Sequence, residues 1–184
     1  MSLMKTLLLA AAFSGALSER VLPDQAGRKH ALSAHAGKKA LVLISHAQDC
    51  PIAEKSVPEV RRLGRAYAKK GVVFLYVDAS PLDTAEELRK HASDFGIELP
   101  ILLDADQSLS RELGMTRTAE AVVVDPRTWK TLYQGAVDDR LTYGGARAAA
   151  RNRYLAEALD EVLAGKPVRR PRSEVLGCLI SYGR

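Results

Sequence analysis

Only two cysteines occur in the 184-residue chain, Cys50 and Cys178, far apart in sequence. So few exclude a disulfide-stapled miniature fold and any cysteine-based zinc cluster. The four histidines, His30, His35, His46 and His91, lack ligand spacing with one another or with the cysteines, so neither a metal nor another cofactor is expected. Aromatic residues are scarce, at 5%. Basic residues are spread along the chain, with one dense cluster at Arg169, Arg170 and Arg172. Without aromatics to stack on bases, a net charge of +5 reads as a solvated surface and not as a nucleic-acid interface. No apolar run is long enough to stay in a bilayer as a spanning helix, which excludes stable membrane insertion.

What is present is the composition of a soluble globular chain, 47% hydrophobic and 27% charged, of a length that suits one domain with extensions. Lys5, the apolar run Leu7 to Leu17 and the small residues of Ala16-Leu17-Ser18 have the layout of a secretory signal. The expected organisation is therefore a signal peptide over 1–18, a domain over 19–165, and a tail over 166–184 that carries Cys178. Export to a periplasm or to the outside follows from the first of these, and an even cysteine count suits such a compartment.

Strand and helix signals alternate through the domain. Val21 to Gly37 is turn-rich, with Pro23-Asp24 and Ala26-Gly27 as punctuation, and predicts a hairpin. Ala40 to Ile44 is an unbroken apolar run of strand length, the pattern of a strand buried on both faces. Ile52, Val57, Val60, Leu63 and Tyr67 then recur at helical spacing up to Lys69-Lys70-Gly71. Val72 to Val77 predicts a strand, Thr84 to Phe95 a helix capped by Thr84 and Glu87, and Pro100 to Leu103 a short strand. Ser108 to Leu113 predicts a short helix, and Ala121–Val124 with Thr131–Val137 an antiparallel pair. Arg151 to Ala164 predicts the last helix. This order specifies an α/β fold with a mixed central β-sheet flanked by helices on both faces, the order of a thioredoxin-like fold.

Cys50 falls at the junction between the first buried strand and its helix, with Pro51 at the first helical position, where a missing N–H costs nothing. A helix start favours the thiolate, the form in which a thiol reacts. Cys50-Pro51-Ile52-Ala53 with Pro58, Leu22-Pro23-Asp24 with Gly27, Thr116 to Glu120, and Tyr133-Gln134-Gly135 to Asp138-Asp139 together resemble the thioredoxin-like redoxins. The likeness runs from about Val21 to Cys178 and is nearest to redoxins grouped with alkyl hydroperoxide reductases and thiol-disulfide oxidoreductases. It implies Cys50 as the reactive thiol, Pro51, Thr118 and Ala119 as substrate-contacting positions, and a thiol or disulfide protein, or a peroxide, as partner.

The chain departs from that family at informative places. Ala53 stands where a CxxC motif has its second cysteine, so Cys50 has no local resolving thiol. Ala47 and Leu43 stand where peroxiredoxins carry a hydroxyl residue and a proline. By the resemblance Ala119 occupies the cis-proline position, and a cis bond there would cost on the order of 3 kcal/mol, so a trans, rearranged loop is expected. Arg117 is placed to face Cys50 and favour its thiolate, or else to be solvated on its loop. His46, near Cys50, is read as a base or, more simply, as a surface or hydrogen-bonded residue, Asp138 and Asp139 as cation ligands or solvated carboxylates, and Trp129 as a cover for the sheet. Cys178 lies in an apolar island, Leu176 to Ile180, that docks back on the domain; it is either the resolving partner of Cys50 or an inert buried thiol. Three readings follow: a thiol-disulfide oxidoreductase using Cys50, a peroxiredoxin-like peroxidase, and a redox-inactive binding module.

Overall fold

In the structure, a computed structural model that describes residues 17–142 and 145–183, the apolar run after Lys39 forms the central strand β3 (Ala40–His46), buried at every position. A hairpin of β1 (Val21–Pro23) and β2 (Lys29–Ala31) precedes it. Helix α1 (Pro51–Ala68), β4 (Val72–Asp78), α2 (Ala85–Phe95), β5 (Ile101–Leu103) and α3 (Ser108–Glu112) follow. The chain then forms β6 (Glu120–Val124), β7 (Thr131–Ala136), a small ladder of β8 (Leu141–Thr142) and β9 (Gly145–Ala146), and α4 (Tyr154–Leu163). The main sheet has the order β5-β4-β3-β6-β7; β3, β4 and β5 are parallel, and β6 runs antiparallel to both its neighbours.

Because side chains alternate along β3, one run of residues supplies two cores. Ala40, Val42 and Ile44 pack with Val57, Val60 and Leu63 of α1, Leu88 of α2 and Leu155 and Leu159 of α4. Leu41 and Leu43 point the other way, to Leu22, Leu32, Leu109 and Met115. Helices thus lie on both faces, the three longer ones on one and the short α3 on the other. Leu17 is buried in this second core, so packed chain reaches back into the segment read as a signal. The remainder of that segment, up to residue 16, lies outside the described residues. Among the described residues no helix is long and apolar enough to cross a membrane.

The structure departs from the sequence reading at a 3₁₀ helix over Leu32–His35, which follows the predicted hairpin, at β8 and β9, and at the start of α4. The ladder of β8 and β9 is too short to carry a periodic signal. Helix α4 starts at Tyr154 and not Arg151, because the Asp139 carboxylate accepts the N–H groups of Arg151 (2.7 Å) and Asn152 (3.0 Å) and holds them outside the helix. Beyond α4 the tail returns along β7: Gln134 N–H donates to the Pro171 carbonyl (2.9 Å), and the Ser173 hydroxyl accepts Ala136 N–H (2.9 Å). From there the chain passes to the start of α1.

Candidate active site

Cys50 caps α1 in extended backbone (φ −106°, ψ 106°), with Pro51 opening the helix and the Cys50 carbonyl accepting Glu54 N–H (3.1 Å). Facing it is the loop 116–119. Ser45, near the end of β3, pins this loop: its carbonyl accepts Ala119 N–H (2.8 Å), and its hydroxyl accepts Glu120 N–H (3.1 Å) and donates to the Arg117 carbonyl (2.5 Å). From the other side the buried Glu120 carboxylate accepts Thr116 N–H (2.7 Å), Arg117 N–H (3.2 Å) and the Gln134 amide (2.8 Å). A buried carboxylate is tolerated when it is satisfied in this way, and here it makes a loop rigid.

Ala119 has φ +60°, and no cis peptide bond occurs among the described residues. The loop is trans and rearranged, as a non-proline residue at this position requires. The turn through left-handed backbone aims the Thr118 hydroxyl at Cys50, at 2.9 Å from Sγ.

The tail closes the site. Thr118 N–H donates to the Cys178 carbonyl (2.9 Å), and Ile180 N–H donates to the Thr116 carbonyl (3.0 Å), so residues 178–180 lie as a short antiparallel strand on the loop. Cys178 N–H in turn donates to Thr118 Oγ1 (2.9 Å), which leaves the hydroxyl hydrogen of Thr118 for Cys50. The Cys178 and Cys50 Sγ atoms stand 2.6 Å apart, unbonded and within reach of a bond. Burial opposes ionisation of Cys50, but hydrogen bonds from the Cys178 thiol, the Thr118 hydroxyl and Ala53 N–H outweigh it and lower the thiol's pKa. Cys178 moves the other way, chiefly because its hydrogen is engaged by Cys50 and then because it is partly buried.

Of the residues singled out by sequence, Cys50, Cys178, Thr118, Ala119 and Pro51 converge here. Cys178 is exposed, not the buried thiol of the alternative reading. Arg117 does not turn to Cys50: its guanidinium donates to the Gly177 carbonyl (2.8 Å), where the tail offers a desolvated acceptor, and so it holds the segment carrying Cys178. His46 is buried and shares a hydrogen bond with His91 (Nε2 to Nε2, 3.0 Å); burial, then the neighbouring His91, pushes its pKa to about 3, so it is a poor base. Asp139 is occupied by backbone N–H groups and Arg147, and Asp138 accepts Arg140 N–H (2.9 Å). Trp129 packs against the second core.

Ser45, Glu120, Gln134 and Gly177 were not assigned roles from sequence. Glu120 carried a signal, a lone carboxylate at the head of the apolar run Ala121–Val124. Gly177 carried none, yet a Cβ there would stand 1.9 Å from the Thr118 carbonyl oxygen. Among the described residues no group of three His, Cys, Asp or Glu side chains is placed to hold a metal ion.

The model of the AhpC/TSA family matches residues 15–138. No curated protein matches the chain. Among solved structures, a hypothetical protein from Sinorhizobium meliloti 1021 is similar at 25% identity and a TM-score of 0.79, over 91% of this chain and 92% of that one. A candidate thiol:disulfide interchange protein DsbE from Chlorobium tepidum is similar at 20% identity and 0.64, over 80% and 94%. The peroxidoxin BcpB from Mycobacterium tuberculosis is similar at 20% and 0.56, over 82% and 93%. The last two, at that identity, bear on the fold alone.

Proposed function

Because the chain belongs to the AhpC/TSA family and has the thioredoxin-like redoxin fold, we propose that it is a thiol-disulfide oxidoreductase whose working pair is Cys50 and Cys178. The observation that carries this reading is the 2.6 Å separation of two sulfurs 128 residues apart, one of them at a helix start. A disulfide needs about 2.05 Å between sulfurs, a small further approach. The pair replaces the CxxC arrangement that Ala53 rules out. Mass spectrometry of the non-reduced chain after mild oxidation should find the Cys50–Cys178 disulfide as a loss of two hydrogens; two free thiols would overturn the proposal.

A peroxidase is the weaker reading. Ala47 and Leu43 provide no hydroxyl and no proline to shape a peroxide pocket, and Cys178 already covers Cys50. Stopped-flow consumption of hydrogen peroxide is expected to be no faster than that of free cysteine. A redox-inactive module would have no reason to lower the thiol pKa of Cys50, which the pH dependence of alkylation reads directly. The substrate is then a thiol or disulfide partner. We also infer export directed by residues 1–18, since an oxidising compartment suits a long-range cysteine pair. Retention of Met1 in chain recovered outside the cytoplasm would count against it.

A further inference from the structure

The two cysteines of the pair are not equivalent to an approaching molecule. Cys50 is 1% exposed, covered by Thr118 and by the tail, whereas Cys178 is exposed. Both cysteines border a cavity of about 410 Å³ between the tail and the turn after β4, together with Ala79, Pro81 and Leu82, but only Cys178 reaches it as an exposed residue. At this cavity stand Leu82 and Leu179, 85% and 70% exposed. The covering segment is held on both sides of Cys178, by Arg117 on the Gly177 carbonyl and by the Gln107 amide on the Ser181 carbonyl (2.8 Å). At 1% exposure Cys50 is reached only by displacing what covers it, Thr118 and the segment that these contacts hold.

We propose that a partner thiol exchanges at Cys178, so that the mixed disulfide forms on Cys178 and Cys50 is the buried thiol that leaves and re-closes the pair. This reverses the order expected from the position of Cys50 at its helix start, and it rests on the exchange function proposed above. Starting from the disulfide, the partner's thiolate attacks Cys178 Sγ, and the electrons of the Cys50–Cys178 bond leave as the Cys50 thiolate. A second thiolate of the partner attacks the partner's own sulfur in the mixed disulfide and expels Cys178 as a thiolate, which takes up a proton. The partner is oxidised to a disulfide and the pair is reduced to a dithiol; reduction of a partner disulfide runs the same steps backwards.

The chemistry suits the placement. Exchange is faster when the leaving sulfur is the more acidic one and the attacked sulfur the more accessible. Cys50 keeps hydrogen bonds from the Thr118 hydroxyl and Ala53 N–H to receive the charge when it leaves.

The full-length oxidised chain should be exposed to reduced glutathione, quenched with N-ethylmaleimide and mapped by mass spectrometry. Glutathione on Cys178 with maleimide on Cys50 is the expected result. Glutathione on Cys50 with maleimide on Cys178 would overturn the order while leaving the exchange function standing; failure of the oxidised chain to form the disulfide would overturn the function itself. Rapid re-closure is bypassed with single variants treated with dithionitrobenzoate. Cys50→Ser, which keeps Cys178, should release thionitrobenzoate about tenfold faster than Cys178→Ser, since access dominates the rate. Equal rates, or the reverse order, would overturn the proposal.

Discussion

Thr118 shows how one side chain couples the tail to the thiol. Its oxygen accepts the N–H of Cys178, so its hydrogen is directed to Cys50 Sγ. Thr118→Val keeps the shape and removes that hydrogen. The pKa of Cys50 read from alkylation should rise by about one unit, the usual scale for loss of one hydrogen bond to a charged form. The sign for stability follows. The folded pKa of Cys50 lies below the ordinary value of 9.0, so its contribution in the dithiol form is complete above the unfolded value and is lost as pH falls through the folded one. Thr118→Val should flatten that dependence. Its neighbour provides the second test at this scale. Ala119 has φ +60° and donates its N–H to Ser45, whereas proline requires φ near −65° and has no N–H. Ala119→Pro, although it supplies the family's residue, should destabilise the chain by about 3 kcal/mol or more in urea unfolding.

At the scale of elements, the C-terminal ends of β3 and β4 place His46 and Asp78 side by side in register. Burial holds both neutral, with the pKa of His46 at about 3 and that of Asp78, also raised by Asp83 and Asp104, at about 7. Their effects on stability oppose each other. As pH falls below 6.5 the unfolded chain takes up a proton that buried His46 refuses, and stability is lost down to about pH 3. As pH rises above 3.8 the unfolded chain releases a proton that Asp78 keeps, and stability is lost up to about pH 7. Between these limits the slopes cancel. Asp78→Asn should unmask the histidine, giving a stability that falls with acid by up to about 1.4 kcal/mol per pH unit in urea titrations between those values. The capping of α2 by Thr84 and Glu87 and the burial of β3 were readable at this scale from residue order. Local chemistry specifies both, whereas the start of α4 depends on Asp139, a residue distant from it in sequence.

For the whole molecule, the tail is the part that turns a fold into a site. Gly177 lets it lie on Thr118, where any Cβ would collide with a carbonyl oxygen. Gly177→Val should lift residues 177–181 from the loop, slow closure of the Cys50–Cys178 disulfide and speed alkylation of Cys50. Losing even two of the docking hydrogen bonds, each about 0.5–1.5 kcal/mol net, corresponds to roughly tenfold in either rate. Circular dichroism should stay that of the parent, because β3 and its two cores do not involve Gly177.

Residue order alone determined the alternation of strands and helices, the two-faced burial of β3 and the placement of Cys50 on a helix start, since each depends on near neighbours and on periodicity. Set beside the redoxins that it resembles, it also told what Cys50 lacks, with Ala53, Ala47 and Ala119 standing where that family has its helpers. Tertiary structure decided the rest. Only the return of the tail along β7 brings Cys178 to Cys50, turns Arg117 to the Gly177 carbonyl and directs the Thr118 hydrogen. These contacts join residues 60 to 128 positions apart, and no local pattern encodes a pairing over such distances. The exposure of the two cysteines belongs to the same category: burial is a property of what covers a residue, and what covers Cys50 is Thr118 and the far end of the chain.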